Sequence, residues 1–167
     1  AMGNQPGEEF LQLIRANRGI LYKICNAYCK NNSDREDLAQ EMIYQLWKSG
    51  KSFDAANTFS TWMYRVALNV AISFYRKQKH APLAAIGEEL EHIEDSTAAS
   101  TQTEENIKLL QLFIGELKEL DRALMLLYLE AKSYSEIADI IGITPTNVAT
   151  KISRIKEKLK QKFAASG

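Results

Sequence analysis

Histidine, cysteine and proline are scarce in this chain: two, two and three of its 167 residues. With only His80 and His92 to join Cys25 and Cys29, a zinc site or a disulfide framework lacks partners. The cysteines sit four apart on an expected helix and read as core or half-buried thiols of a reducing, cytoplasmic compartment. No apolar run approaches the roughly 20 residues that cross a bilayer, so no direct membrane insertion is expected. The opening AMGNQPGEEF is polar, without a secretory signal, and its Ala-Met-Gly resembles the remnant of a removed tag. Strand-like alternation is nearly absent. So are a Ser–His–Asp constellation and a phosphate-binding glycine loop, and neither histidine lies in a motif. An enzyme is the least favoured class, and no metal or cofactor is expected.

Net charge is also missing: 21 basic residues balance 21 acidic ones. The balance conceals a pattern. Between His80 and Glu105 lie seven carboxylates (Glu88, Glu89, Glu91, Glu94, Asp95, Glu104, Glu105) with no Lys or Arg, leaving the remainder at +7. Fields act over a Debye length of about 8–10 Å, so two basic bodies flank an acidic strip.

What is present is helical periodicity. Phe10, Ile14, Leu21, Ile24 and Tyr28 predict one helix from Glu8 to Lys30. A second follows in SDREDLAQEMIYQLWKSG, with Ser33 and Glu36 as a capping box and Gly50 as its stop. A third covers FSTWMYRVALNVAISFYRKQK, Phe59 to Lys79, capped by Thr58. The texture then changes to HAPLAAIGEELEHIEDSTAASTQT, a linker with one short helical turn near Glu88–Ile93. Helices resume over Glu104–Leu117, Asp121–Ala131, Tyr134–Ile141 and Pro145–Phe163. Ser133 with Glu136 forms another capping box, and Thr144-Pro145 is a cap followed by a first-position proline. The expected fold is all-α: two small helical domains, 8–79 and 104–163, on a flexible acidic tether, 80–103.

The C-terminal SYSEIADIIGITPTNVATKISRIKEKLKQKF has the grammar of a helix-turn-helix. Ala138 allows a close crossing, and Ile137, Ile141, Ile143, Val148 and Ile152 supply a shared core. Thr146, Asn147, Thr150, Lys151, Ser153 and Arg154 are polar, short or cationic, suited to base edges and phosphates in a major groove. Lys156, Lys158, Lys160 and Lys162 follow, opposed only by Glu157. The plainer reading is a helical hairpin with a solvated lysine face.

In DREDLAQEMIYQLWK, Asp37, Gln40 and Glu41 share one helix face, with Leu38, Met42, Ile43 and Leu46 on another. In Phe59–Lys79, Met63, Val66, Ala67, Val70 and Phe74 make a core stripe. Trp62, Tyr64, Arg65 and Asn69, with the cations Arg76, Lys77 and Lys79, are left unexplained by packing, although Trp62 fits either a wedge or a core corner.

DREDLAQEMIYQLW followed at this distance by FSTWMYRVALNVAISFYRKQK resembles the second conserved region of bacterial RNA polymerase sigma factors. NIKLLQLFIGELKELDRALMLLYLEAKSYSEIADIIGITPTNVATKISRIKEKL resembles their fourth region. The short length, with only these two parts, resembles the extracytoplasmic-function class. The resemblance implies a non-enzymatic initiation factor that directs core RNA polymerase to promoters. It implies that Asp37, Gln40 and Glu41 dock on a coiled coil of the polymerase's largest subunit, with Trp47 a packing residue. Trp62, Tyr64, Arg65 and Asn69 would lie on the helix that opens the minus-ten element, with the loop Phe53–Thr58 near a flipped base. Arg76, Lys77 and Lys79 would hold phosphates. Thr146, Asn147, Thr150, Lys151, Ser153 and Arg154 would read the minus-thirty-five element, and the flap of the second-largest subunit would contact this half. An anti-sigma partner and a monomeric state are implied as well.

Two departures stand out. Ala149 occupies a position that is cationic in many members, which shifts sequence reading toward Thr150, Ser153 and Arg154. GELKELDRAL replaces the commoner L-P-x-x-x-R pattern while keeping Leu120 and Arg122. The acidic strip is expected to track toward the RNA exit path, where negative charge can mimic nucleic acid. A stand-alone helix-turn-helix regulator would explain Thr144–Lys162 but leave DLAQE and TWMYRVALN without purpose. A protein-interaction bundle without DNA is the second rival.

Overall fold

The computed structural model describes residues 7–50, 53, 58–79 and 101–166, and among them every regular element is a helix. The order is α1 (Glu8–Ala16), α2 (Arg18–Tyr28), α3 (Asn32–Lys48), α4 (Phe59–Lys79), α5 (Gln102–Gly115), α6 (Glu119–Leu129), α7 (Tyr134–Ile141) and α8 (Pro145–Ser166). The turn expected near Glu88–Ile93 lies outside the described residues, as do Asp54–Asn57 of the loop before α4.

The single first helix expected from periodicity is two. Asn17 breaks it, because its side-chain amide donates to the Leu13 carbonyl (2.9 Å), beside its own N–H. A short polar side chain that bonds local backbone competes with helix continuation. The start of α3 also differs from the Ser33 capping box. Asn31 is the cap, and its Oδ1 accepts from the Asp34 N–H at 2.7 Å. This helix ends at Lys48, with Ser49 rather than Gly50 at its close.

In the first half, α4 packs on α2 and α3. Leu38, Met42 and Leu46 are fully buried, each contributing about 1.5–3 kcal/mol of burial. Of the expected α4 stripe, Met63 and Ala67 are buried, while Val66, Val70 and Phe74 are half-buried. In the second half α8 packs on α6 and α7. The Ser133–Glu136 capping box is complete in both directions. Gly142, at φ +88°, turns α7 toward α8, and Thr144 caps α8 through the Asn147 N–H (3.1 Å). A β-carbon is disfavoured in that left-handed conformation, which is why glycine suits the turn.

The halves meet. Their buried residues form one continuous core, with α2 against α5 and α6, and α4 against α6 and α7. At the joint lies Arg122, 3% exposed. Its guanidinium donates to the carbonyls of Gly115 (2.7 Å), Leu117 (2.9 Å) and, from the other half, Ala27 (3.0 Å). The rings of Tyr28 and Tyr75 lie 5.2 and 4.6 Å from it. Tyr28 Oη donates to the Glu119 carbonyl at 2.5 Å, and burial, first of all, pushes its phenol above its ordinary range.

Candidate nucleic-acid interface

The acidic face of α3 is where the sequence put it: Asp37, Gln40 and Glu41 are all exposed. Gln45 Nε2 donates to Glu41 Oε2 (3.1 Å), which steadies that carboxylate. Ile43, expected in the core stripe, is 47% exposed. Leu38, Met42 and Leu46 already fill the buried line, and residue 43 falls about 100° round the helix from Met42. Tyr44 is 56% exposed beside it, with Lys48 Nζ 5.9 Å from its ring centre. Sequence reasoning missed Tyr44. The available signal was an aromatic seven residues after Asp37 and three after Glu41, on their own face.

On α4 the expected outer residues divide. Trp62 and Tyr64 are 5% and 3% exposed, so of the two places open to Trp62, wedge or core corner, it takes the corner, and Tyr64 is corrected from an outward position to a buried one. Trp62 is a core corner, its ring 5.5 Å from each of Phe10, Phe53 and Phe59. Tyr64 is covered by the second half, with Lys132 Nζ 5.5 Å from its ring. Burial raises its phenol well above the ordinary range, and the Glu130 charge adds to this. Asn69, Arg76, Lys77 and Lys79 are exposed, as sequence predicts. Arg65 is half-buried, because its Nη2 meets Asp139 at both the carboxylate (3.0 Å) and the carbonyl (3.3 Å). Arg76 Nε donates to Glu119 Oε1 at 3.0 Å. That bond, then its own backbone N–H, and the Arg76 and Lys79 charges hold the Glu119 carboxyl below its ordinary value.

On α8, burial of Val148, Ile152, Ile155 and Leu159 turns the opposite face outward. Thr146, Asn147, Thr150, Ser153 and Arg154 are exposed together, spaced at one, four, seven and eight residues from Thr146. Thr150 Oγ1 donates to the Thr146 carbonyl (3.1 Å), one turn back along the helix. Lys151 is half-buried and, with Asp121, Arg154, Ile155 and Lys158, lines a small cleft of about 170 Å³. The lysine run past Ser153 does not form one free face. Lys156 Nζ lies 4.2 Å from the Tyr128 ring centre. Lys162 pairs with Glu116 at 2.7 Å, so Glu157 is not the sole opposing charge. Lys158 and Lys160 remain exposed.

A larger open cleft, about 630 Å³, separates the start of α4 from the α7–α8 turn, lined by Thr58, Thr61, Asp139 and Ile143 among others. Cys25 and Cys29 are buried, and burial pushes their thiols up to about 11 and about 12. Neither is placed for nucleophilic chemistry. Among the described residues no cluster of His, Cys, Asp and Glu could hold a metal ion, and no helix is long and apolar enough to cross a membrane.

Residues 13–81 match the family model for Sigma-70 region 2, and residues 107–159 match that for Sigma-70, region 4. Among curated proteins, the extracytoplasmic-function RNA polymerase sigma factor SigW of Bacillus subtilis is 27% identical over 169 residues, covering 93% of this chain and 89% of SigW. Among solved structures, the fold resembles the sigma factor RpoE bound to the anti-sigma factor NepR from Bartonella quintana. That match has a TM-score of 0.72 at 19% identity, covering 93% of this chain and 96% of the other. CnrH in complex with the cytosolic domain of CnrY is similar with a TM-score of 0.68 at 19% identity, covering 95% and 89%.

Proposed function

Because the chain belongs to the sigma-70 family, as an extracytoplasmic-function sigma factor that recognises promoters and initiates transcription with RNA polymerase, we propose how its residues divide that work. Sigma factors are non-catalytic polymerase subunits, so the division is one of contacts. The first domain, 8–79, binds core polymerase and the minus-ten element. Asp37, Gln40 and Glu41, joined by Tyr44, dock on a coiled coil of the largest subunit. Arg65, Asn69, Arg76, Lys77 and Lys79 hold the opened strand. Unstacking a base costs a few kcal/mol, and phosphate contacts supply a salt-dependent part of the return. Trp62 and Tyr64 serve this surface from beneath, as packing that fixes the line of α4.

The second domain, 104–163, reads the minus-thirty-five element through Thr146, Asn147, Thr150, Lys151, Ser153 and Arg154, and meets the flap of the second-largest subunit. The acidic segment 80–103 connects them. The observation that carries this reading is the outward face of α8: five short or cationic side chains are exposed together over a buried Val148–Ile152–Ile155 line. Arg154 is the side chain able to meet guanine O6 and N7 as a pair, worth roughly 1–3 kcal/mol of discrimination. An anti-sigma partner and a cytoplasmic site of action are part of the same reading. They are supported by the two structural neighbours, one solved with an anti-sigma factor and one with a cytosolic protein domain.

The test is transcription in vitro with core polymerase and a promoter library. Wild type should select one pair of elements, and Arg154→Ala should relax the upstream one. An unchanged preference would remove Arg154 from the assignment. Absence of a stoichiometric complex with core polymerase would remove the α3 docking face.

A further inference from the structure

From Phe10 to Ser33 the chain carries four cations, Arg15, Arg18, Lys23 and Lys30, and no carboxylate. All four are exposed, on or beside α1 and α2. Lys23 is engaged by Glu130, while Arg15, Arg18 and Lys30 have no ion pair among the described residues. On α2 the exposed stripe is Arg18, Tyr22 and Asn26, four apart and so on one face. Tyr22 is 65% exposed, and its ring and hydroxyl meet no ring or hydrogen-bond partner among the described residues. Three residues before it stands Gly19, also exposed, where a β-carbon would meet nothing within 4 Å. A glycine inside a helix lowers its stability, and packing gives no reason for this one. What it provides is a flat approach to one side of the Tyr22 ring, because residues three apart are neighbours on a helix surface. The face begins beside the start of α4, since Phe10 of α1 packs against Phe59 and Trp62 at 5.8 and 5.5 Å. By contrast α3, next in the chain, exposes Glu36, Asp37 and Glu41. One domain thus presents two faces of opposite charge, which fit different partners.

We propose that the α1–α2 face is a second contact for single-stranded nucleic acid, in which a base stacks on Tyr22 beside Gly19 while Arg15, Arg18 and Lys30 hold phosphates. A cationic track follows the backbone, and every base has a face to lay on an open ring. Asn26 stands on the same stripe with an amide suited to a base edge. An acidic protein surface would satisfy the cations but leaves the glycine beside the ring unexplained. A lipid surface needs an apolar face to bury, and the stripe of Arg18, Tyr22 and Asn26 is a single ring among polar groups. The site is separate from the outer face of α4 and stands without the assignments made there.

The full chain is measured by fluorescence anisotropy with a labelled mixed-sequence single-stranded DNA of about 20 nucleotides at low salt. Tyr22→Ala should weaken binding about fivefold or more, and Tyr22→Phe should bind as wild type, since stacking needs the ring and not the hydroxyl. Arg15→Gln/Arg18→Gln should weaken binding and reduce the salt slope by about 1.4, for two phosphates at about 0.7 each. Gly19→Leu separates recognition from packing. A leucine three residues from Tyr22 lies against the ring and covers it, so strand binding should fall about threefold or more while Tm holds or rises. With 5-bromodeoxyuridine in the strand, irradiation should join DNA to the tryptic peptide Gly19–Lys23, whose one aromatic is Tyr22. A wild type that fails to bind, Tyr22→Ala and Gly19→Leu forms that bind as wild type does, or cross-links that miss this peptide would overturn the proposal. A loss confined to complexes with core polymerase, or to binding of phosphatidylglycerol vesicles, would overturn it in favour of a protein or a membrane surface. Weaker binding by Arg76→Gln/Lys77→Gln with none by Tyr22→Ala would overturn this site and leave the α4 assignment standing. The opposite result would support this site and overturn that assignment.

Discussion

Replacing Arg122 by alanine should cost far more than an ordinary substitution at a helix position. The guanidinium is 3% exposed and serves three carbonyls at 2.7–3.0 Å, two from the α5–α6 turn and one from the end of α2. Bonds from a charged donor contribute about 1.5–3 kcal/mol each, and a buried acceptor left without a partner costs about 1–3 kcal/mol. Against this stands the desolvation of the guanidinium, whose Nε is buried without a hydrogen-bond partner. Water entering the vacated site would recover part of the loss. The balance is about 2–4 kcal/mol of destabilisation, a large part of the roughly 5–15 kcal/mol by which domains are stable. At 2–4 °C per kcal/mol for a chain of this size, Tm should fall by roughly 5–15 °C. Arg122→Lys should recover little, because one ammonium cannot span carbonyls served by two ends of a planar fork. Urea unfolding followed by circular dichroism measures it. Wild type should unfold in one transition because the halves share a core, and Arg122→Ala in two. A loss below about 1 kcal/mol with a single transition would refute the reasoning.

Ala131, the non-glycine residue at positive φ (61°) among the described residues, sits at the end of α6. Ala131→Gly should therefore raise stability by about 0.5–1 kcal/mol, read as a Tm increase. Gly142→Ala should lower stability by about 1 kcal/mol through backbone strain alone, since a β-carbon there meets nothing within 4 Å. Ser133→Ala removes the capping box before α7 and should cost about 1 kcal/mol in a denaturant titration. Asp37→Lys/Glu41→Lys should abolish complex formation with core polymerase on gel filtration while leaving Tm unchanged within a few degrees. The thiols carry a pH prediction. Burial pushes the Cys25 and Cys29 thiols up to about 11 and about 12 from an ordinary 9.0, so the native state holds protons that the unfolded state releases. Stability should thus be full below pH 9 and fall as pH rises from there, checked by urea midpoints across pH 8–11. Reaction with a thiol reagent at pH 8 should be slow in native protein and fast in urea.

Much of this molecule is legible in its sequence because its helices carry local signals. The Ser133–Glu136 box, Gly142 and Thr144-Pro145 fix α7 and the start of α8 from neighbouring residues alone, at Tyr134–Ile141 and Pro145. Where a boundary depended on competition, it moved. Asn17 interrupts a periodicity that looks continuous, and Asn31 outcompetes Ser33 as a cap because its side chain also reaches Asp34. The outer face of α8 could be read by subtracting the apolar stripe. The face of α4 could not, because its covering comes from the far end of the chain: Asp139 and Lys132 decide the exposure of Arg65 and Tyr64. Arg122 illustrates the same limit. It is a cation on an amphipathic helix, and nothing within ten residues of it announces the Ala27 carbonyl that it serves.

The pairing of Arg65 and Arg76 with carboxylates of the other half has a thermodynamic consequence for salt. A cation that enters a complex from solution gives up condensed counterions, and single-strand binding weakens with salt by about 0.7 in log affinity per decade for each phosphate neutralised. Arg65 and Arg76 instead arrive already neutralised by Asp139 and Glu119. Meeting strand phosphates as proposed, they would exchange one anion for another, and salt would loosen the bond given up as well as the bond gained. The free chain should therefore show a shallower salt slope than its exposed arginines and lysines suggest, while a form with its halves held apart should show the full slope. The zero net charge of the chain is then the sum of a cation set and counterions that the polypeptide carries with it.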